Sequence, residues 1–203
     1  MPYYQDLITE KSFKILQDLK RKYNFILIGG WAVFLYTKNL KSKDIDIIVD
    51  YDELEKIRND FPLNKNERLK KYEIQINEID IDIYLPFYSD LKIPLEEIKQ
   101  YSRKIEGFTT LAAEVLLILK QAAFSERQAS AKGEKDKIDL ISLLNLDDFN
   151  FKLYQEILKK YDLVKYQNML ADLLKETKEV PELKLNQYQF AKLKRKILKF
   201  LPD

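Results

Sequence analysis

Four aspartates in two short runs, Asp44-Ile45-Asp46 and Asp80-Ile81-Asp82, are the residues best suited to chemistry in this chain. Each run sits in an apolar stretch: Ile47-Ile48-Val49 follows the first, and the second lies inside the alternating segment Ile79 to Leu85. In a strand, residues two apart project from one face, with Cα atoms ~6.5–7 Å apart. Asp44 then points with Asp46, and Asp80 with Asp82, while the isoleucines turn to a core. Two such strands in one sheet bring three carboxylates into a small volume. Such a cluster repels itself unless cations intervene. Two divalent ions ~3.5–4 Å apart remove the repulsion, bridge phosphate oxygens and activate an attacking hydroxyl.

The rest of the composition narrows this chemistry. The chain has no cysteine and no histidine. That excludes disulfides, thiolate nucleophiles, Ser-His triads and Cys/His zinc sites. Acid-base and metal chemistry therefore falls to Asp, Glu, Lys and Tyr. Carboxylate oxygens are hard ligands, so the expected ions are Mg²⁺ or Mn²⁺.

A phosphate cradle is the second half of the pattern. Gly29-Gly30 follows the apolar run Phe25-Ile26-Leu27-Ile28, and Asp44 comes fourteen residues after Gly30. Glycine lets the backbone approach a phosphate closely, and a helix starting there offers free N–H groups and a positive dipole end. Ser42 and Lys43, just ahead of the acidic strand, are further candidate phosphate donors. Strand, glycine turn, short helix and paired carboxylates together suit a nucleoside triphosphate with its metal ions.

The elements that position these residues read as follows. Apolar Phe13, Ile15, Leu16 and Leu19 predict a helix over 9–23, with Thr9 as N-cap. Residues 25–28 read as a buried strand, Trp31 to Tyr36 as a helix packed on it, and 44–50 as a second strand. Asp52 reads as the cap of a helix ending near Asp60. Residues 72–76 and 79–85 read as a hairpin that Pro86 ends. Pro94 opens a short helix, and Ser102 to Glu106 reads as a last strand stopped by Gly107. From Thr109 the pattern is helical: Leu111 to Ser125, then Lys135 to Leu146 after a break at Gly133, then two or three more helices. The expected organisation is an α+β half, 1–108, and an α-helical half, 109–203.

The chain has 203 residues, 46% apolar, enough for a real core, with Lys+Arg 35 against Asp+Glu 33. The net charge of +2 gives no global attraction to nucleic acid. The stretch Leu183 to Pro202 is a local exception. Lys184, Lys192, Lys194, Arg195, Lys196 and Lys199 occur there without an acid, interleaved with Tyr188, Phe190, Leu193, Ile197 and Phe200. That pattern suits either a one-sided surface helix or RNA backbone contact. The opening Met-Pro-Tyr-Tyr-Gln-Asp does not read as a signal peptide. The apolar runs fall short of the ~18–20 residues of a membrane helix. A cytoplasmic location without membrane attachment is the expectation.

With these residues in place, the sequence resembles the DNA polymerase β-like nucleotidyltransferase superfamily. The matching segments are Ile28-Gly29-Gly30-Trp31-Ala32-Val33, Lys43-Asp44-Ile45-Asp46-Ile47 and Ile81-Asp82-Ile83-Tyr84, covering about the first 90 residues. The second half, with Glu114 to Ala123, Arg127 and Lys132 to Leu140, resembles small prokaryotic nucleotidyltransferases, the minimal antitoxin and abortive-infection toxin types. The resemblance implies an α+β polymerase β-like fold, a mixed twisted sheet flanked by helices, followed by a helical domain. It implies transfer of an NMP from an NTP, ATP favoured, to a hydroxyl of a protein toxin or a tRNA, with pyrophosphate released and two Mg²⁺ or Mn²⁺ ions as cofactors. Asp44, Asp46 and Asp82 would be catalytic and metal-binding, with Asp80 as the alternative third carboxylate. Gly29, Gly30, Ser42, Lys43, Lys120, Arg127, Lys135 and Asp136 would bind nucleotide, with Asp139 beside them. The stretch Asn39-Leu40-Lys41-Ser42-Lys43 departs from the Arg and Thr that many relatives carry there. An antibiotic adenylyltransferase and a catalytically inactive binding or antitoxin module are the competing expectations.

Overall fold

A computed structural model of the chain describes residues 2–201, with side chains from residue 6 onward. The architecture is α+β: a mixed seven-stranded sheet flanked by helices, then a run of helices. The chain divides after Ala112 into two compact units.

In the first unit α1 (Pro2–Lys22) precedes β1 (Ile26–Ile28), α2 (Gly29–Thr37), β2 (Ile45–Ile48) and α3 (Tyr51–Asp60). Then come β3 (Asn64–Asn66), β4 (Lys71–Ile76), β5 (Ile79–Tyr84), the one-turn α4 (Leu95–Ile98), β6 (Ser102–Ile105) and β7 (Phe108–Leu111). The strand order is β3-β4-β5-β2-β1-β7-β6. β2 runs parallel to β5 and antiparallel to β1, while β7 runs parallel to β1.

Alternation sets the faces of this sheet. Ile45 and Ile47 on β2, and Ile79, Ile81 and Ile83 on β5, are buried at 0–1% exposure, so these isoleucines form the floor of the core. The residues between them, Asp46, Asp80 and Asp82, turn the other way and remain partly or fully exposed. Trp31 of α2 is buried and its indole Nε1 donates to Ser12 Oγ of α1 at 2.9 Å, which ties the helix after the glycines to α1. Burying a tryptophan is tolerated only when its N–H finds a partner.

The second unit holds α5 (Ala113–Arg127), α6 (Ala131–Leu144), α7 (Phe151–Lys160), α8 (Lys165–Glu176) and α9 (Gln187–Leu198). Gln121 of α5 joins two neighbours: its Nε2 donates to the Tyr166 carbonyl at 2.8 Å, and Tyr154 Oη donates to its Oε1 at 2.9 Å. Burial pushes the Tyr154 phenol well above its ordinary pKa.

Several sequence expectations need correction. Thr9 is not an N-cap: α1 already starts at Pro2, and the Thr9 hydroxyl donates to the Asp6 carbonyl inside the helix. Asp52 lies within α3, whose N-cap is Asp50. Residues 109–111 are strand, because β7 hairpins back on β6 through Gly107 at φ +78° before α5 begins at Ala113. Gly133 does not break a helix. It lies in the first turn of α6, where Ser130 accepts from its N–H, and a Cβ there would lie 2.7 Å from the Gln128 carbonyl oxygen. In α9, Phe190, Leu193 and Ile197 are buried, but Tyr188 is 71% exposed and does not join that stripe. Pro202, at the end of the basic stretch, lies outside the described residues.

Candidate active site

Three elements bring the first-unit candidates to one place. Asp46 is level with Asp82 across the parallel β2/β5 ladder, and Ile28, the last residue of β1, is level with Asp46 on the other side. Neighbouring strands lie ~4.8 Å apart, so the two aspartates are adjacent on one face. Asp44 lies just before β2, half-buried like Asp46. Its charge is felt at Asp82. Gly29 opens α2 at φ +67°, and a Cβ built on it would lie 2.6 Å from Asp46 Cγ. Glycine is therefore required twice there, by the left-handed backbone and by the carboxylate packed against its Cα. Ile28, the N-cap of α2, supplies no side-chain cap, and the Asp46 carboxylate packs at the positive end of that helix. Ser42 is buried in the loop ahead of β2, and Lys43 is exposed in the same loop.

Asp80 and Asp82 separate clearly. Asp80 is exposed and accepts from Gln75 Nε2 at 2.8 Å. Asp82 is 20% exposed, and Lys71 Nζ donates to its Oδ2 at 2.5 Å. Burial raises the Asp82 pKa above the ordinary value, Lys71 opposes the rise, and Glu73 and Asp44 add to it. For Lys71, burial works against the ammonium, but Asp82 and then Glu73 outweigh it and the pKa is raised.

Asp44, Asp46 and Asp82 offer only hard oxygen donors from adjacent positions. An ammonium already stands on Asp82 as a stand-in cation. In donor chemistry the set suits a hard divalent ion. The cage is not closed, however: among the described residues no three Asp, Glu, His or Cys side chains are gathered as a ready metal-holding group. A cleft of about 420 Å³ lies at the far ends of β1 and β2, lined by residues that include Lys20, Tyr23, Asp50, Lys99 and Lys104. It includes none of the three aspartates.

The second-unit candidates form a cluster of their own. Lys120 Nζ on α5 donates to Asp136 Oδ1 at 3.0 Å and lies 2.7 Å from Asp139 Oδ2, both on α6. Neither Asp139 oxygen has a hydrogen bond of good direction, so that contact is one of charge. Arg127 reaches Asp136 Oδ2 with both Nε and Nη2 at 2.7 Å. Lys120 is 11% exposed, Asp136 2% and Asp139 1%, so the lysine is buried by its ion pairs and does not extend to water. Burial lowers the Lys120 pKa, but Asp139 and Asp136 outweigh it and hold the pKa above the ordinary value. Burial raises the Asp139 pKa against the opposing effect of Lys120. Lys135, half-buried on α6, lies close enough to lower the Asp139 pKa.

Sequence reasoning missed Lys71 and Glu73. The signal was available in the hairpin. Folding it about Asn77-Glu78 sets Glu73 opposite Asp82, the register observed. Two like charges facing each other call for a cation, and Lys71 lies two residues away on the same face.

No family model matches the chain, and no curated protein matches it. Among solved structures, a candidate nucleotidyltransferase from H. pylori is similar at 20% identity, covering 98% of this chain and 99% of its own, with a TM-score of 0.48. JHP933 from Helicobacter pylori is similar at 19% identity, covering 96% of this chain and 94% of its own, with a TM-score of 0.45. An antigenic nucleotidyltransferase-like protein from Paracoccidioides brasiliensis is similar at 19% identity over 90% of this chain and 98% of its own, with a TM-score of 0.44. Likeness this distant assigns no reaction. No helix among the described residues is long and apolar enough to cross a membrane.

Proposed function

We propose that the chain is a nucleotidyltransferase that moves an NMP from an NTP, ATP favoured, to an acceptor hydroxyl. The observation that carries this reading is the register of Asp46 with Asp82, next to the start of α2 at Gly29. Asp44, Asp46 and Asp82 would hold two Mg²⁺ or Mn²⁺ ions, which supply charge neutralisation on the phosphates and acidify the attacking hydroxyl. The N–H groups of Gly29 and Gly30 face the β- and γ-phosphates, with Ser42 and Lys43 as further donors. Asp82, its pKa raised by burial, accepts the proton of the acceptor hydroxyl. The new O–P bond forms at the α-phosphorus, the bond to the β-phosphate oxygen breaks, and pyrophosphate leaves. In the second unit, Arg127 (40% exposed), held by Asp136, and Lys135 are the members suited to ligand contact.

RNA is the favoured acceptor. The face of α9 opposite Phe190, Leu193 and Ile197 exposes Lys192, Arg195 and Lys196, a row suited to a phosphate backbone. A protein toxin, as in toxin–antitoxin pairs, is the alternative acceptor.

Incubation with α-labelled ATP, CTP, GTP or UTP, Mg²⁺ and total tRNA or a cell protein extract tests the reading. The expected result is label on one acceptor class, lost in Asp44→Ala. A wild type that transfers no more label than Asp44→Ala defeats it.

A further inference from the structure

The ladder between β1 and β7 has one rung, Leu27 with Thr110, and the Thr110 hydroxyl reinforces it by donating to the Leu27 carbonyl at 2.8 Å. Beside that rung the cleft of about 420 Å³ opens, and Ile26 and Thr109 line it instead of pairing. Its apolar lining is well buried: Ile26, Ile48, Val49 and Phe108 are 2–7% exposed. Its charged lining is basic, with the ammoniums of Lys20, Lys99 and Lys104 against the one carboxylate of Asp50. Lys99 is committed, since it donates to both Asp50 oxygens at 2.8 and 2.9 Å. Lys20 and Lys104 have no carboxylate partner among the described residues. Lys20 Nζ instead lies 4.4 Å from the centroid of the Phe108 ring, and a Cβ on Gly107 would come within 2.7 Å of it. Ring and glycine thus seat this ammonium without neutralising it. Ser102 and Lys104 share one face of β6, and Thr109 is opposite Lys104 on β7. Neither hydroxyl has a side-chain partner among the described residues.

We propose that this cleft binds a small phosphorylated ligand, with its phosphate held by Lys20 and Lys104 and its apolar body on Ile26, Ile48 and Val49. The donors select phosphate. Ammoniums and hydroxyls meet a tetrahedral anion from several directions, whereas a carboxylate is best met by the planar fork of an arginine, and no arginine lines the cleft. The volume of about 420 Å³ falls in the range of small-molecule sites, ~300–1,000 Å³, so the cleft has room for more than a phosphate group. The site shares no residue with Asp44, Asp46 and Asp82 and stands independently of the nucleotide-transfer reading.

Titration of the isotope-labelled full chain with phenyl phosphate at low salt, followed by amide NMR shifts, tests this. Shifts are expected at Ile26, Lys104 and Thr109. Lys20→Met and Lys104→Met should each weaken binding about tenfold, the scale of one hydrogen bond to a charged group. Both side chains are exposed, so folding should be kept. Thr109→Val removes a hydroxyl at nearly constant shape and should weaken binding about threefold. Lys14→Met, on α1 but outside the cleft, should stay within about twofold of wild type. Inorganic phosphate should bind about tenfold more weakly than phenyl phosphate, because it leaves the apolar lining uncovered. Asp44→Ala should bind phenyl phosphate as the wild type does. A wild type that binds no phenyl phosphate, affinity unmoved in both lysine variants, equal affinity for the two probes, or shifts centred on Asp44 and Asp46 would each overturn the proposal. None of these results would touch the nucleotide-transfer reading, which the labelled-NTP assay tests separately.

Discussion

Asp46 and Asp82 stand level on two parallel strands, and Asp46 is packed on its other side against the bare Cα of Gly29. The carboxylate is thus held between a second acid and the start of a helix. Ile45, Ile47, Ile81 and Ile83 fix that arrangement from below, because a one-residue slip of either strand would bury its aspartates and expose its isoleucines.

Gly29→Ala is expected to cost stability for two separable reasons. The left-handed backbone at φ +67° penalises any side chain by about 1–3 kcal/mol. The new methyl also displaces the Asp46 carboxylate. Urea denaturation should show Gly29→Ala less stable than wild type, and the double variant Gly29→Ala/Asp46→Ala should recover the clash but not the backbone strain. Equal stability of wild type and Gly29→Ala would contradict the close packing.

The two acidic residues of β5 should behave differently. Asp82→Asn removes an oxygen donor and proton acceptor from the site, and transfer of labelled NMP should fall on the order of 10²-fold or more. Asp80→Asn alters an exposed group bonded to Gln75 and should stay within about twofold of wild type. The reverse order would move the third carboxylate to Asp80.

Much of this site can be read in the chain, and the reasons are local. β5 follows from alternation of Asp and Ile, β2 from the Asp-Ile-Asp-Ile run that opens its apolar stretch, and the β4/β5 hairpin from two strand-like runs meeting at Asn77-Glu78. β3, Asn64-Lys65-Asn66, leaves no such trace, because an edge strand of polar residues has no buried face to betray it. β7 was hidden for the opposite reason. Its apolar residues run on into α5 without a polar break, so periodicity alone joins Leu111 to the helix. The charges of α5 and α6 are visible in sequence. Their closure into buried pairs is not, because it depends on how two helices face one another.

The buried pairs in the second unit give a prediction with a definite sign. The Lys120 pKa is raised above 10.5 on folding, so the folded chain binds more protons than the unfolded chain between 10.5 and that higher value. The lysine's contribution is full below pH 10.5 and is lost as pH rises through the folded value. Lys120→Met should lose about 3–5 kcal/mol near neutrality, because it takes the buried ammonium from Asp139 and leaves Asp136 to Arg127 alone, and its stability should fall less steeply above pH 10.5. Lys120→Met/Asp139→Asn should recover part of the neutral-pH loss. Melting temperatures at pH 8 and pH 11 check all three statements.

The basic face of α9 can be tested apart from chemistry. Replacing Lys192, Arg195 and Lys196 by Ala leaves Phe190, Leu193 and Ile197 in place, so folding should be kept. Affinity for tRNA should drop, and the slope of log affinity against log salt should flatten by about 0.7–0.9 per lost phosphate contact. A slope unchanged from wild type would remove α9 from RNA binding and favour a protein acceptor.

The central claim concerns where divalent ions bind. Crystals grown with Mn²⁺ and a non-hydrolysable ATP analogue, measured for the anomalous signal of manganese, test it most directly. The account predicts manganese within about 2.0–2.2 Å of carboxylate oxygens of Asp44, Asp46 and Asp82. Manganese absent from these aspartates, with the analogue bound elsewhere, would contradict it.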